Sequence, residues 1–129
     1  MKRRSMLHAI TASMAAGSLP ASVVAQNYPS KPVRLVVPFP AGSSTDMVAR
    51  TYAAQVSQAL GQAIVIENKA GADGLIAGQE VTRSAGDGYT LFLATNSPMA
   101  AGPAMKKNPP YDPLKDFSPI ADLGRYTFF

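Results

Sequence analysis

The stretch VRLVVPFPAGSSTDMVAR, from Val33 to Arg50, constrains the fold more than any other part of the chain. Val33 to Val37 is mostly β-branched and apolar without clean alternation, the pattern of a strand covered on both faces in a parallel sheet. Two prolines and a Gly-Ser-Ser turn then break it. Beyond the turn, Val48, Tyr52, Val56 and Ala59-Leu60 recur at helical spacing, which predicts an amphipathic helix with these residues as its apolar stripe. Ser44 or Thr45 is expected to cap its start, Asp46 suits the positive end of its dipole, and Gly61 can end it in a left-handed conformation.

The same alternation continues. Ile64-Val65-Ile66 reads as a second strand, Asn68 to Gly74 as a glycine loop, and Leu75 to Arg83 as a short helix. Gly86-Asp87-Gly88 has turn chemistry and precedes a third strand, Tyr89 to Ala94. Strand, helix, strand, helix, strand favours right-handed crossovers and a parallel sheet, so the fold class expected is α/β. Thr95-Asn96-Ser97-Pro98 follows the third strand as the Phe39 to Thr45 loop follows the first. Both loops therefore lie at the carboxyl edge of the sheet, where ligands of open α/β sheets settle. Asn108 to Pro119 is rich in Pro and Asp without periodicity and reads as an extended surface connection.

A strand entering a small-residue loop and then a helix presents unpaired backbone N–H groups at a positive dipole end, which suits a carboxylate or phosphate. Gly42 permits close backbone approach, and Ser43, Ser44 and Thr45 add hydroxyls. The chemical reading is a small organic anion; the competing reading is a capped helix whose loop binds only water. The Gly-Lys-Ser/Thr ending of a nucleotide loop and the dinucleotide Gly-x-Gly-x-x-Gly are both missing, which disfavours nucleotides. With no cysteine, and with His8 as the sole histidine, neither thiol catalysis nor a Ser-His-Asp triad can be built after residue 25. Asp112 and Asp116 lie among prolines rather than at Ca²⁺-loop spacing, and read as a solvated pair. Asp73 and Asp87, each beside glycine, read as turn formers, and Tyr111 and Phe117 as core or edge aromatics. No metal and no cofactor is expected.

The two ends of the chain read differently from its middle. Lys2, Arg3 and Arg4 precede an Ala/Met/Leu/Val-rich run from Met6 to Val24, and Val23-Val24-Ala25 offers small residues for cleavage. Residues 1–25 are therefore expected to be an export signal. A membrane anchor is the poorer reading, because His8, Gly17 and Pro20 interrupt the apolar run. Arg3-Arg4-Ser5-Met6-Leu7 resembles a twin-arginine signal imperfectly, leaving the Sec and twin-arginine routes open. Three of the twelve Lys/Arg leave with the signal, so nine face eight acidic residues and the mature charge is about +1. The whole-chain pI of 9.6 thus argues little for nucleic-acid binding, which needs a clustered basic face. Arg125-Tyr126-Thr127-Phe128-Phe129 reads as the beginning of an aromatic strand, so a fragment of a longer product is expected.

Four stretches together resemble one family: YPSKPVRLVVPFPAGSSTDMVAR, ALGQAIVIENKAGADGLIAG, AGDGYTLFLATNS and YDPLKDFSPIA look like successive segments of the Bug-type periplasmic receptors of tripartite tricarboxylate transporters. The resemblance covers nearly all of the mature chain. It implies a truncated, two-lobed fold like the type II periplasmic binding proteins, closing on a small organic carboxylate held by main-chain amides, hydroxyls and water. Residues 26–120 fall on the first part of lobe I, and 121–129 on the start of the crossover to lobe II. By the same resemblance the ligand-binding roles fall on Phe39, Ala41, Gly42, Ser43, Thr45 and Asp46 in the first loop, and on Thr95, Asn96 and Ser97 in the second. The implied partners are the carboxylate and membrane transporter subunits, with no nucleic acid, for a monomer in the periplasm.

The chain departs from that pattern at Ser43, where a second glycine is usual, and at Ala70, Asp73 and Leu75, where proline, glycine and asparagine are commoner. Gly86 likewise replaces a common proline. Asp73 is expected to face solvent, because it would repel an anion in the cleft. Three rivals stand beside a receptor without turnover: an anion-using α/β enzyme whose catalytic residues lie in a missing C-terminal part, a regulatory ligand domain, and an interaction-only module.

Overall fold

The computed structural model describes residues 27–125; the export-signal reading of residues 1–25 lies outside them. Strand β1, Val33–Val37, is the middle of a three-stranded parallel sheet in the order β2-β1-β3, with β2 at Ile64–Asn68 and β3 at Thr90–Phe92. Val33 pairs in register with Ile64 and Val37 with Asn68, while Arg34 pairs with Thr90 and Val36 with Phe92. Tyr89 to Ala94 was expected for the third strand, and the regular part is shorter. Ladder hydrogen bonds nonetheless continue outside it, from Arg34 N–H to the Tyr89 carbonyl and from Leu93 N–H to the Val36 carbonyl.

Helix α1, Ser44–Leu60, links β1 to β2, and α2, Leu75–Thr82, links β2 to β3 after a short 3₁₀ turn at Ala72–Gly74. The two helices cover opposite faces. Val37 packs with Ala49 of α1 and with Leu93, supported by Leu35 and Ile66, whereas Arg34, one step out of phase, pairs with Glu80 of α2 and Glu67 of β2. Successive strand side chains point to opposite faces. Val33, Val36 and Val37 are each at most 1% exposed, so both faces of β1 are indeed covered. Each such valine contributes about 1.5–3 kcal/mol of burial.

The expected stripe of α1 does not face the sheet. Thr45, Asp46, Ala49 and Ala53 are its buried residues, while Tyr52, Val56 and Leu60 are 37–40% exposed. Two alanines one turn apart let the helix lie close to the sheet, which leaves the larger apolar side chains on the flank. The helix ends as expected at Gly61, with φ 65°. Beyond β3 a π-helical turn, Ser97–Ala101, runs into a single helical turn, α3, Gly102–Ala104, where sequence reading expected only a bend. The Asn108 to Pro119 connection has no regular structure, and Tyr111 is buried within it. Asp112 and Asp116 are tied together, with Asp112 N–H donating to Asp116 Oδ2 at 2.7 Å and Asp116 N–H to the Asp112 carbonyl at 2.9 Å.

Candidate functional site

Pro38 and Pro40 end the first strand because neither supplies a ladder N–H. The chain then turns tightly, with Ser43 N–H donating to the Pro40 carbonyl at 3.2 Å and Gly42 at φ 83°, a region that favours glycine. Ser43, not Ser44 or Thr45, caps α1: its backbone is extended and its Oγ accepts from Asp46 N–H at 3.2 Å. Asp46 reaches back reciprocally, accepting from Gly42 N–H at 2.9 Å. The Gly42 amide is thus committed to Asp46, whereas the sequence suggested an open approach for a ligand.

Asp46 is 1% exposed. Arg50, one turn along α1, donates to it through Nε at 2.8 Å and Nη2 at 3.1 Å, and Asn68 Nδ2 donates at 2.9 Å from the end of β2. The same Asn68 amide also donates to the Phe39 carbonyl at 3.0 Å. Hydrogen bonds from Arg50 first, then from Gly42 and Asn68, hold the Asp46 carboxyl well below the usual carboxylate range despite its burial. Asp46 is therefore an ionised bracket that ties loop, helix and neighbouring strand together. Sequence reading found Asp46 but missed Arg50 and Asn68. The i, i+4 Asp-Arg spacing was the available signal for Arg50; Asn68 had none, being 22 residues away.

With those groups engaged, the amides of Ser44 and Thr45 in the first turn of α1 have no acceptor among the described residues. Thr45 is 6% exposed and, with Thr95 and Met99, lines a trough that runs along β3 and is bordered by residues between 113 and 125. Thr95 Oγ1 is, among the described residues, the one buried side-chain polar atom without a hydrogen-bond partner. The two loops meet where the strand order reverses, since β1 leads to β2 on one side and has β3 on the other; crevices at such a reversal are where open α/β sheets take ligands.

Of the nine residues singled out from sequence, Thr45 and Thr95 thus come together on the trough, and Ser43 and Asp46 build the loop behind them. Phe39, Ala41 and Gly42 lie outside the trough lining, Asn96 is exposed and Ser97 is half-buried. A third loop, missed as a contributor, joins them from β2. Gly74 lies so close that a Cβ there would come within 2.8 Å of Pro38 and 3.2 Å of Pro98. Ahead of it Ala72 and Asp73 both have positive φ, 47° and 54°, and Asp73 is exposed as expected. This arrangement offers hydrogen-bond donors at the positive end of a helix, which suits gripping an anion.

The pattern that defines the tripartite tricarboxylate transporter family receptors, TctC, matches residues 48–129. The chain belongs to this receptor family. It is 39% identical to protein BugT of Bordetella pertussis over 125 residues, covering 96% of this chain and 38% of that protein. Among solved structures it is similar to the periplasmic binding protein BugD, at 42% identity and TM-score 0.64 over 72% of this chain and 31% of the other. It is also similar to MatC from Rhodopseudomonas palustris with bound malate, at 42% identity and TM-score 0.71 over 74% of this chain and 33% of the other. The fold is accordingly that of the periplasmic binding proteins, of which this chain spans about a third of the length. BugD is a periplasmic binding protein and MatC holds malate, which does not favour the enzyme rival.

Proposed function

We propose that this chain supplies the anion grip of an extracytoplasmic solute receptor, which binds a small organic carboxylate and hands it to the membrane subunits of a tripartite tricarboxylate-type transporter without chemical turnover. The observation that carries this reading is the buried, unpartnered Thr95 hydroxyl on the trough that Thr45, in the first turn of α1, also lines. A buried hydroxyl lacking a partner costs free energy, and a carboxylate that reaches it would offer it an acceptor. The malate bound by MatC is of the same chemical class. Residues 1–25 act in this reading as a signal for export to the periplasm, by the Sec or the twin-arginine route. Residues 26–120 form the first part of lobe I and 121–129 begin the crossover, in a monomer.

The test is calorimetric titration of the full natural gene product with malate, acetate, citrate and inorganic phosphate, repeated on Thr95→Val. Saturable binding of at least one carboxylate, weakened about tenfold or more in the variant, is expected. Binding of phosphate alone, or of nothing in the panel, overturns the reading.

A further inference from the structure

The Pro98 carbonyl is buried where its own backbone leaves it without a donor. In the π-helical turn the Gly102 N–H bonds the Ser97 carbonyl, five residues back. The corresponding donor for Pro98 is residue 103, a proline with no N–H. Gly102, four residues on, is already engaged. Tyr111 fills the gap: its hydroxyl donates to the Pro98 carbonyl at 2.6 Å, and its ring is 5% exposed.

That ring is closely seated. It packs edge-on to Phe117 at 5.3 Å between centroids, and Phe117 stacks on Phe92 of β3 at 5.7 Å. On its other side lies Gly78 of α2, where a Cβ would approach the ring and hydroxyl to 2.5 Å. Tyr111 thus joins β3 and α2 to the turn. At the start of that turn Met99 N–H donates to the carbonyl of Thr95 at 3.2 Å, so the residue carrying the unpartnered hydroxyl is tethered to the segment Tyr111 holds.

We propose that Tyr111 is a positioning residue of the ligand site: by holding the Pro98 carbonyl it fixes the turn that presents the Thr95 hydroxyl, an assignment that rests on the carboxylate-binding reading above. The hydroxyl, rather than the ring, carries the role, so Tyr111→Phe is the informative change.

The experiment measures, in the full natural gene product at 25 °C, the affinity for the tightest of malate, acetate and citrate together with the melting temperature. Native protein, Tyr111→Phe and Val33→Ala are compared; Val33 is buried at the amino end of β1, away from the site. The expected result is that both variants melt earlier but only Tyr111→Phe loses affinity, by roughly tenfold. Affinity within twofold of native in Tyr111→Phe, or an equal loss in Val33→Ala, overturns the assignment. If Tyr111→Phe does not fold, Tyr111→Phe/Pro103→Ala is read instead, because alanine restores an N–H at residue 103. Recovery of folding and affinity supports the role; a double variant that stays unfolded or binds weakly overturns it. Native protein that binds none of the three acids removes the functional reading itself, and this assignment with it.

Discussion

Asp46 concentrates much of the site's architecture in one side chain. Replacing it with asparagine removes the charge opposite Arg50 and turns an amide donor toward a cluster that already consists of donors. Asp46→Asn is expected to lower the melting temperature by several degrees and to weaken carboxylate binding, although Asp46 itself is buried. A variant with native melting and native affinity would remove the bracket role. Ala72 presents the opposite case, a residue in a conformation its side chain resists. Its φ of 47° is one that L-residues other than Asn and Asp seldom adopt. Ala72→Gly is therefore expected to stabilise the fold by about 0.5–1 kcal/mol in denaturant unfolding; a destabilised variant would contradict that geometry. The Asp46-Arg50 pair was readable from spacing, but the partners of Asp46 in other elements were not.

Elements show where local rules yield to contact. Gly78 lies inside α2, where alanine gains about 1 kcal/mol of helix propensity. Its missing Cβ is the space occupied by Tyr111, so Gly78→Ala is expected to destabilise by about 1–3 kcal/mol despite that gain. Thermal melts that rise in the variant would show that Tyr111 is not seated there. Helix α1 makes a related point. Its existence and its stop at Gly61 were legible, yet the face it buries was not, because Ala49 and Ala53 win the sheet contact by being small. Likewise the turn after β3 was legible as a turn, while its π-helical form depends on Pro103 and on a tyrosine far along the chain.

Among the described residues β1 is the central strand, and charges bridge the elements around it. On the α2 face Arg34 of β1 bonds Glu67 and Glu80, and Lys69 bonds Glu67 at 2.7 Å. Arg34, then Lys69, hold the Glu67 carboxyl at about 2. A carboxylate whose pKa is lowered by folding stabilises the fold fully above its unfolded value, about 4.3 for Glu, and progressively less as pH falls toward the folded one. Asp46, whose carboxyl folding also holds below the usual range, acts in the same direction. Melting temperature is thus expected to fall between pH 5 and pH 2 as about two further protons bind on unfolding; a flat profile over that range would contradict both placements. By itself the sequence determined what short-range physics controls: the βαβαβ order, the helix stop at Gly61, the small-residue loop before α1 and the family to which the segments belong. Only the tertiary structure decided the strand order, the buried face of α1, the joining of three loops at Gly74 and the grip of Tyr111 on Pro98. Those features rest on contacts between residues distant in the chain, chosen by packing and by satisfying buried polar groups, and no local period or turn signal records them.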